Sequence, residues 1–99
     1  MKRTSSMVYK PSTESVELCN YAANKGELWE SCLKGTIASL RKRAHAGKYD
    51  SNLAVDSYYN VACKASDYYF KDFGYRFSVT ERFTAAVDLE QYFRETVFE

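Results

Sequence analysis

The side chains that most often do chemistry in enzymes are few in this chain, and they are not grouped. Its 99 residues contain one histidine, His45, and three cysteines, Cys19, Cys32 and Cys63. His45 lies in a basic run with no carboxylate three or four positions away, so a general base there would lack an orienting partner. Zinc needs four converging ligands, and these widely spaced residues include no C-x-x-C pair. The sequence predicts no catalytic residue, no metal site and no cofactor.

Short motifs of common enzymes are also missing. The chain has no Gly-rich phosphate-binding loop, no G-x-S-x-G and no H-E-x-x-H. Neighbouring carboxylates, such as Asp67 with Asp72 and Asp88 with Glu90, fit the exposed faces of helices better than an acid–base pair. The cysteines fit small buried or half-buried side chains in a reducing compartment. We therefore expect a protein that is not an enzyme.

A basic cluster is the first candidate for a binding surface. Arg41, Lys42, Arg43 and Lys48 lie close together with His45. They could contact nucleic-acid phosphates or an acidic patch on a protein, or they could only complement a helix dipole and keep the surface soluble. The net charge is +1, which disfavours both a dedicated nucleic-acid binder and an acidic DNA mimic.

Charge is divided unevenly between the two halves of the chain. Residues 1–50 carry nine Lys/Arg against five Asp/Glu, whereas residues 51–99 carry five against eight. Such polarity could steer a partner or a second copy of the chain. It could equally reflect helices that pair their charges.

Tyrosine is the second candidate, with nine copies in the chain. Tyr58–Tyr59 and Tyr68–Tyr69 stand about three helical turns apart, so one member of each pair can enter the core while its neighbour faces solvent. Exposed tyrosines are enriched at protein interfaces, whereas buried ones fill a core, and the sequence favours neither alternative. The residues predicted to bind a partner are Arg41, Lys42, Arg43, Lys48, Tyr59, Tyr69, Tyr75 and Arg76.

Apolar periodicity predicts the helices that must position these residues. A first, short helix starts at Ser12 or Thr13, after Pro11, and ends near residues 24–26, where a kinked continuation is the alternative. Apolar residues recur every three or four positions over residues 29–44, which indicates a second helix. Gly35 falls inside it, and a close contact with another helix would explain a glycine there.

Turn chemistry predicts a third and a fourth helix. Asp50 is the expected N-cap of the third. Gly74 can adopt the left-handed conformation that ends a helix, and Ser78 with Glu81 forms a capping box, so the two helices make an antiparallel hairpin with Tyr75 at its tip. The predicted fold is all-α: a bundle of three long helices plus a shorter N-terminal helix.

Composition and the first residues complete the prediction. With 45% hydrophobic and 27% charged residues the chain resembles an ordinary globular protein. Residues 11–99 are expected to form one helical domain, and residues 1–10 a short extended arm. No apolar run follows the basic start as in a signal peptide, and no segment approaches the ~20 apolar residues of a membrane span. We expect a cytoplasmic protein that does not bind a membrane.

The chain contains four segments, Leu40–Arg43, Gly47–Asp50, Leu53–Val55 and Phe73–Arg82, by which it resembles small uncharacterised accessory proteins of tailed bacteriophages. The resemblance covers residues 40–95. Such proteins have no agreed activity, so no site residue is transferred from them. The resemblance implies that the chain binds host or defence proteins in the host cytoplasm.

These observations lead to one functional expectation and two alternatives. The expectation is a non-enzymatic phage-type interaction protein that binds a host macromolecule, for example an anti-CRISPR-like inhibitor of a bacterial defence complex. The first alternative is a weak nucleic-acid-binding module that contacts nucleic acid through the Arg41–Lys48 cluster and acts as a homodimer, which doubles its basic surface. The second is a structural or assembly protein of the virion.

Overall fold

The computed structural model describes residues 8–99, and most of this range is helical. Three helices are long and the N-terminal one is shorter, so the predicted all-α bundle is confirmed. The second helix has three segments joined without a break, the middle one π-helical. In chain order the helices are α1 (Thr13–Asn24), α2 (Gly26–Leu28, Trp29–Leu33 and Lys34–His45), α3 (Ser51–Phe73) and α4 (Val79–Phe98).

Side-chain caps begin three of the helices where the sequence predicts. The Ser12 hydroxyl accepts from the third backbone N–H of α1, and the Asp50 carboxylate accepts from the first turn of α3. At the start of α4 the Ser78 hydroxyl accepts from the Glu81 backbone N–H at 3.1 Å, while the Glu81 carboxylate accepts from the Ser78 N–H at 2.8 Å. These bonds satisfy backbone donors that helix termini otherwise leave open.

The ends of the helices are equally local in origin. Lys25 has extended backbone angles, φ −81° and ψ 112°, so α1 and α2 are separate helices and not one kinked rod. Gly47 and Gly74 follow α2 and α3 with φ of 72° and 76°. Only glycine takes this left-handed conformation without a steric penalty, which explains both positions.

The expected close contact at Gly35 is wrong. A Cβ atom placed there would meet no heavy atom within 4 Å, because Gly35 lies on the exposed face of α2. Gly35 and Gly74 therefore form a matched pair. We expect Gly35→Ala to stabilise the fold by about 0.5–1 kcal/mol through its helix propensity, and Gly74→Ala to destabilise it by about 1–2 kcal/mol through the left-handed backbone. Urea unfolding of the two variants measures both; shifts of the same sign would contradict this explanation.

The π-helical segment changes which residues of α2 face the core. Leu28 and Leu33 are five positions apart and both fully buried, whereas Trp29, expected on the apolar side, is 38% exposed. A π turn closes its hydrogen bonds over five residues and an α turn over four. Residues before the π segment therefore face a different direction from the one that a regular α-helical spacing predicts. Simple periodicity therefore misses Leu28.

The hydrophobic core lies between α3 and α4, which make the most extensive helix pair, and is closed by α1 and α2. Tyr58 is fully buried and stacks on Phe93, while Tyr59 beside it is half-buried, as the tyrosine-pair prediction requires. Tyr68 and Tyr69 are both half-buried, so the second pair does not divide in this way.

Acidic residues behave differently along the chain. Asp67 and Asp72 are exposed as predicted, and Asp88 is half-buried. The prediction is wrong for Glu90, which is 2% exposed. Its carboxylate accepts from the Tyr49 hydroxyl at 2.7 Å and from the Arg94 guanidinium at 2.9 Å. A carboxylate can be buried when its lone pairs are satisfied in this way.

Residues before α1 lie against α4. The Lys10 backbone N–H donates to the Thr84 hydroxyl at 2.8 Å, and the Tyr9 hydroxyl donates to the Asp88 carboxylate at 3.0 Å. The predicted arm, residues 1–10, falls mainly on residues 1–7, which lie outside the described residues. Within residues 8–99, no helix combines the length and the hydropathy that a bilayer crossing needs.

Candidate functional site

The eight residues predicted to bind a partner lie in different parts of the molecule and do not form one surface. Arg41 contacts the last turn of α4, at the end of the bundle where α3 begins. Tyr75 and Arg76 lie in the connection that follows α3. The 23 residues of α3 separate these two ends by about 34 Å at 1.5 Å per residue. We call them the basic end, with residues 41–48, and the aromatic end, with residues 69–77.

At the basic end, Arg41 has a structural contact. Its guanidinium donates to the Thr96 carbonyl at 2.8 Å, and its Nε is buried without a hydrogen-bond partner among the described residues. Cations stabilise the carbonyl end of a helix dipole, so Arg41 ties α2 to the end of α4. Lys42, Arg43 and Lys48 are exposed. His45 is exposed as well, so Arg41 alone among these cluster residues is partly buried.

This difference predicts unequal effects of the same substitution at neighbouring positions. We expect Arg41→Met to lower the free energy of unfolding by about 1–2 kcal/mol, because it removes a charge-assisted hydrogen bond to a helix terminus. Lys42→Met, at an exposed position, should change it by less than about 0.5 kcal/mol. Thermal or urea unfolding measures both, and equal stabilities would assign Arg41 to the free surface.

At the aromatic end, four rings of α3 and the α3–α4 connection contact one another. Tyr69 lies 4.6 Å from Phe73 and 4.9 Å from Phe77, and Tyr75 lies 4.8 Å from Phe77, all between ring centroids. Phe77 is 6% exposed and anchors the group, whereas Phe73 and Tyr75 are 65% and 41% exposed. Phe73 is the last residue of α3, where no further helical turn can cover it. The end of the bundle thus presents apolar rings to solvent.

These four rings and the N-terminal half of α1 enclose an open groove of about 280 Å³. We call it the aromatic groove. A second hollow of about 400 Å³ shares Glu17, Tyr69 and Phe73 with it and extends along α1 to Tyr21. The lining residues of the aromatic groove are Thr13, Glu14, Glu17, Tyr69, Phe73, Tyr75 and Phe77.

Carboxylates accept hydrogen bonds from the tyrosine hydroxyls around the groove. Tyr69 donates to Glu17, and Tyr75 donates to Glu81 at 3.2 Å. The hydrogen bond to Glu17 is the main reason that the pKa of Tyr69 is raised, followed by burial. Burial, then the hydrogen bond to Glu81, raises the pKa of Tyr75. Both hydroxyls therefore stay protonated at neutral pH, and their protons are committed to carboxylates of the protein.

Aromatic rings outside the groove form cation–π contacts with Arg and Lys side chains of the chain itself. The Arg76 guanidinium lies 3.8 Å from the centroid of the Phe70 ring, so this predicted contact residue is already stacked. Lys25 lies 5.6 Å from the Tyr21 ring and forms a salt bridge of 3.4 Å with Asp72.

Tyr59, the remaining predicted residue, belongs to neither end. It is half-buried in the middle of α3, with the Arg82 guanidinium 5.9 Å from its ring. Sequence reasoning thus found two of the groove rings, Tyr69 and Tyr75. It missed the contribution of α1, because apolar spacing does not say which helices pack together.

His, Cys, Asp and Glu side chains are the usual metal ligands, and a cysteine reacts as its thiolate. Within residues 8–99, no three or more His, Cys, Asp or Glu side chains are grouped so that they could hold a metal ion. Cys19, Cys32 and Cys63 are half-buried free thiols, as predicted for their burial. Burial raises the pKa of Cys19 to about 11, which keeps the thiol protonated and unreactive.

The fold and this site define a small all-α bundle with an exposed aromatic end. No protein-family model, no curated protein and no solved structure matches the chain.

Proposed function

We propose that this protein is a non-enzymatic interaction protein that binds a partner protein through its aromatic end. The observation that carries the proposal is the exposure of adjacent apolar rings there: Phe73 is 65% exposed, Tyr75 41% and Phe70 37%. Exposed aromatic side chains that lie together favour protein interfaces, because they offer a large contact area and lose little rotamer entropy.

Rigidity supports the same proposal. Phe77 is buried beneath Tyr69 and Tyr75, and the tyrosine hydroxyls are held by Glu17 and Glu81. A capping box fixes the start of α4 immediately after these rings. A surface that is already ordered loses less entropy on binding than a mobile one.

The partner, on this proposal, is a host protein met in the bacterial cytoplasm. The resemblance of residues 40–95 to phage accessory proteins favours a phage-encoded protein. A concrete form is an anti-CRISPR-like inhibitor that occludes a nucleic-acid site of a defence complex or blocks one of its moving parts.

The test is an affinity pull-down of the tagged protein from nuclease-treated bacterial lysate, read by mass spectrometry. We expect a stoichiometric protein partner that survives the nuclease. Recovery of nucleic acid alone, lost after nuclease treatment, would contradict the proposal. Presence of the protein in purified phage particles without a host partner would favour the virion assembly alternative.

The nucleic-acid alternative rests on the basic end, where Lys42, Arg43 and Lys48 are exposed. Three cations make few phosphate contacts, and pairing of two copies would double them. Each neutralised phosphate contributes about −0.9 to the slope of log affinity against log salt on duplex DNA. A steep slope that is lost in Lys42→Glu/Arg43→Glu would support this alternative.

A further inference from the structure

We propose that the aromatic groove binds an arginine side chain of the partner protein. This inference rests on the proposed function, because it names the chemistry that the partner must present. The groove combines ring faces with two carboxylates, and these two kinds of group attract the same ligand, a cation.

Charge complementarity is the first argument. Glu14 and Glu17 line the groove from one face of α1, three residues apart, so their carboxylates are neighbours. No salt bridge between residues 8–99 involves either of them. Lys25, at the end of α1, forms its salt bridges with Asp72 and Glu27 instead. A positive group in the groove would therefore find acidic partners that no described cation of the chain already neutralises.

The hydrogen-bonding state of the groove points the same way. The Tyr69 hydroxyl donates to Glu17 and the Tyr75 hydroxyl donates to Glu81, so the tyrosine protons are used inside the protein. The remaining carboxylate lone pairs can accept further hydrogen bonds, and the Tyr and Phe rings offer negative faces. Such a groove suits a donor-rich cation and disfavours an anion.

The surrounding rings indicate that this end of the molecule accommodates cations. Arg76 lies over Phe70, Lys25 over Tyr21 and Lys71 over Tyr68. Among the cations of residues 8–99, none lies over the rings of the groove itself. The rings outside the groove are thus contacted by cations of the chain itself, whereas the ring faces of the groove remain accessible to a cation of a partner.

Arginine fits this arrangement better than lysine. A guanidinium is planar, stacks on aromatic faces and presents five donors that can reach a carboxylate in pairs. Stacking near the exposed Phe73 and Tyr75 with hydrogen bonds to Glu14 or Glu17 would use both kinds of group together. The ammonium group of lysine is a compact point charge that is more strongly hydrated than a guanidinium.

The experiment titrates the ¹⁵N-labelled full-length protein with a capped pentapeptide that has one central arginine. We expect saturable shifts of the amide signals of residues 13–17 and 69–77. The same peptide with citrulline, which keeps the shape and loses the charge, should bind at least fivefold more weakly. The Glu14→Gln/Glu17→Gln variant should bind the arginine peptide with an affinity at least fivefold lower. The control variant Glu30→Gln/Glu95→Gln changes exposed carboxylates elsewhere and should bind this peptide with unchanged affinity.

Several results would overturn the inference. Equal binding of the arginine and citrulline peptides would show that charge is not recognised, and tighter binding of a lysine peptide would assign the groove to a different cation. If Glu14→Gln/Glu17→Gln leaves capture of the lysate partner unchanged while loss of Phe73 and Tyr75 abolishes it, the arginine inference fails and the proposed function stands. Saturable arginine binding without any lysate partner would support the groove and contradict the proposed function.

Discussion

Replacing Phe73 and Tyr75 with alanine is expected to lower the affinity for the captured protein by about a hundredfold or more. Buried aromatic anchors at the centre of an interface each contribute about 2 kcal/mol or more when truncated, and 1.4 kcal/mol is a factor of ten. Phe73 is 65% and Tyr75 41% exposed in the free protein, so the helical fold should change little. Titration calorimetry with the purified partner measures the affinity, and circular dichroism checks the helices.

The matched control replaces two exposed aromatic residues outside the aromatic end. Tyr92 is 65% exposed and Trp29 38% exposed, close to the values for Phe73 and Tyr75. Tyr92→Ala/Trp29→Ala should bind the partner as the natural sequence does. A loss as large in this control would show that any exposed ring matters equally, and the aromatic end would have no special role.

Replacing Glu90 with alanine is expected to lower the free energy of unfolding by about 3 kcal/mol at neutral pH. The change removes the acceptor of the hydrogen bonds from the Tyr49 hydroxyl and the Arg94 guanidinium. A hydrogen bond to a buried charged group contributes about 1.5–3 kcal/mol when solvent does not compensate its loss. The Arg94 side chain is 51% exposed, so water compensates part of its loss. Urea unfolding measures the difference, and Glu95→Ala, at an exposed position of the same helix, is the control.

The Glu90 effect should depend on pH in a defined direction. Burial acts to raise the pKa of Glu90, but the hydrogen bonds from Arg94 and Tyr49 outweigh it and hold the pKa below its ordinary value. A lowered pKa in the folded state means that the carboxylate stabilises the fold above the unfolded pKa of about 4.3 and loses this contribution as the pH falls through the folded value. The difference in the free energy of unfolding between Glu90→Ala and the natural sequence should therefore become smaller below about pH 4. A constant difference would place the effect in packing alone.

The sequence contains most of the local information that builds the bundle. The caps at Ser12, Asp50 and Ser78 and the left-handed turn at Gly74 depend on residues within a few positions of one another, so spacing alone predicts them. These signals also place Tyr75 in the connection between α3 and α4. The helix order and the all-α class follow from them.

Packing between distant segments could not be read from spacing. The buried Glu90 depends on Tyr49, 41 residues away, and the groove depends on α1 meeting the end of α3. The π segment moves Leu28 into the core by changing the period on which the prediction relies. The sequence predicts Arg41 as a member of an exposed basic cluster, because spacing does not show that α4 ends beside it.

The central claim is that the aromatic end is the binding surface. The most direct measurement records amide spectra of the ¹⁵N-labelled protein alone and with the purified partner. We predict that the largest changes fall on residues 13–21 and 69–77, around the aromatic groove. Changes concentrated on residues 41–48, with the groove signals unaltered, would contradict the account and assign binding to the basic end.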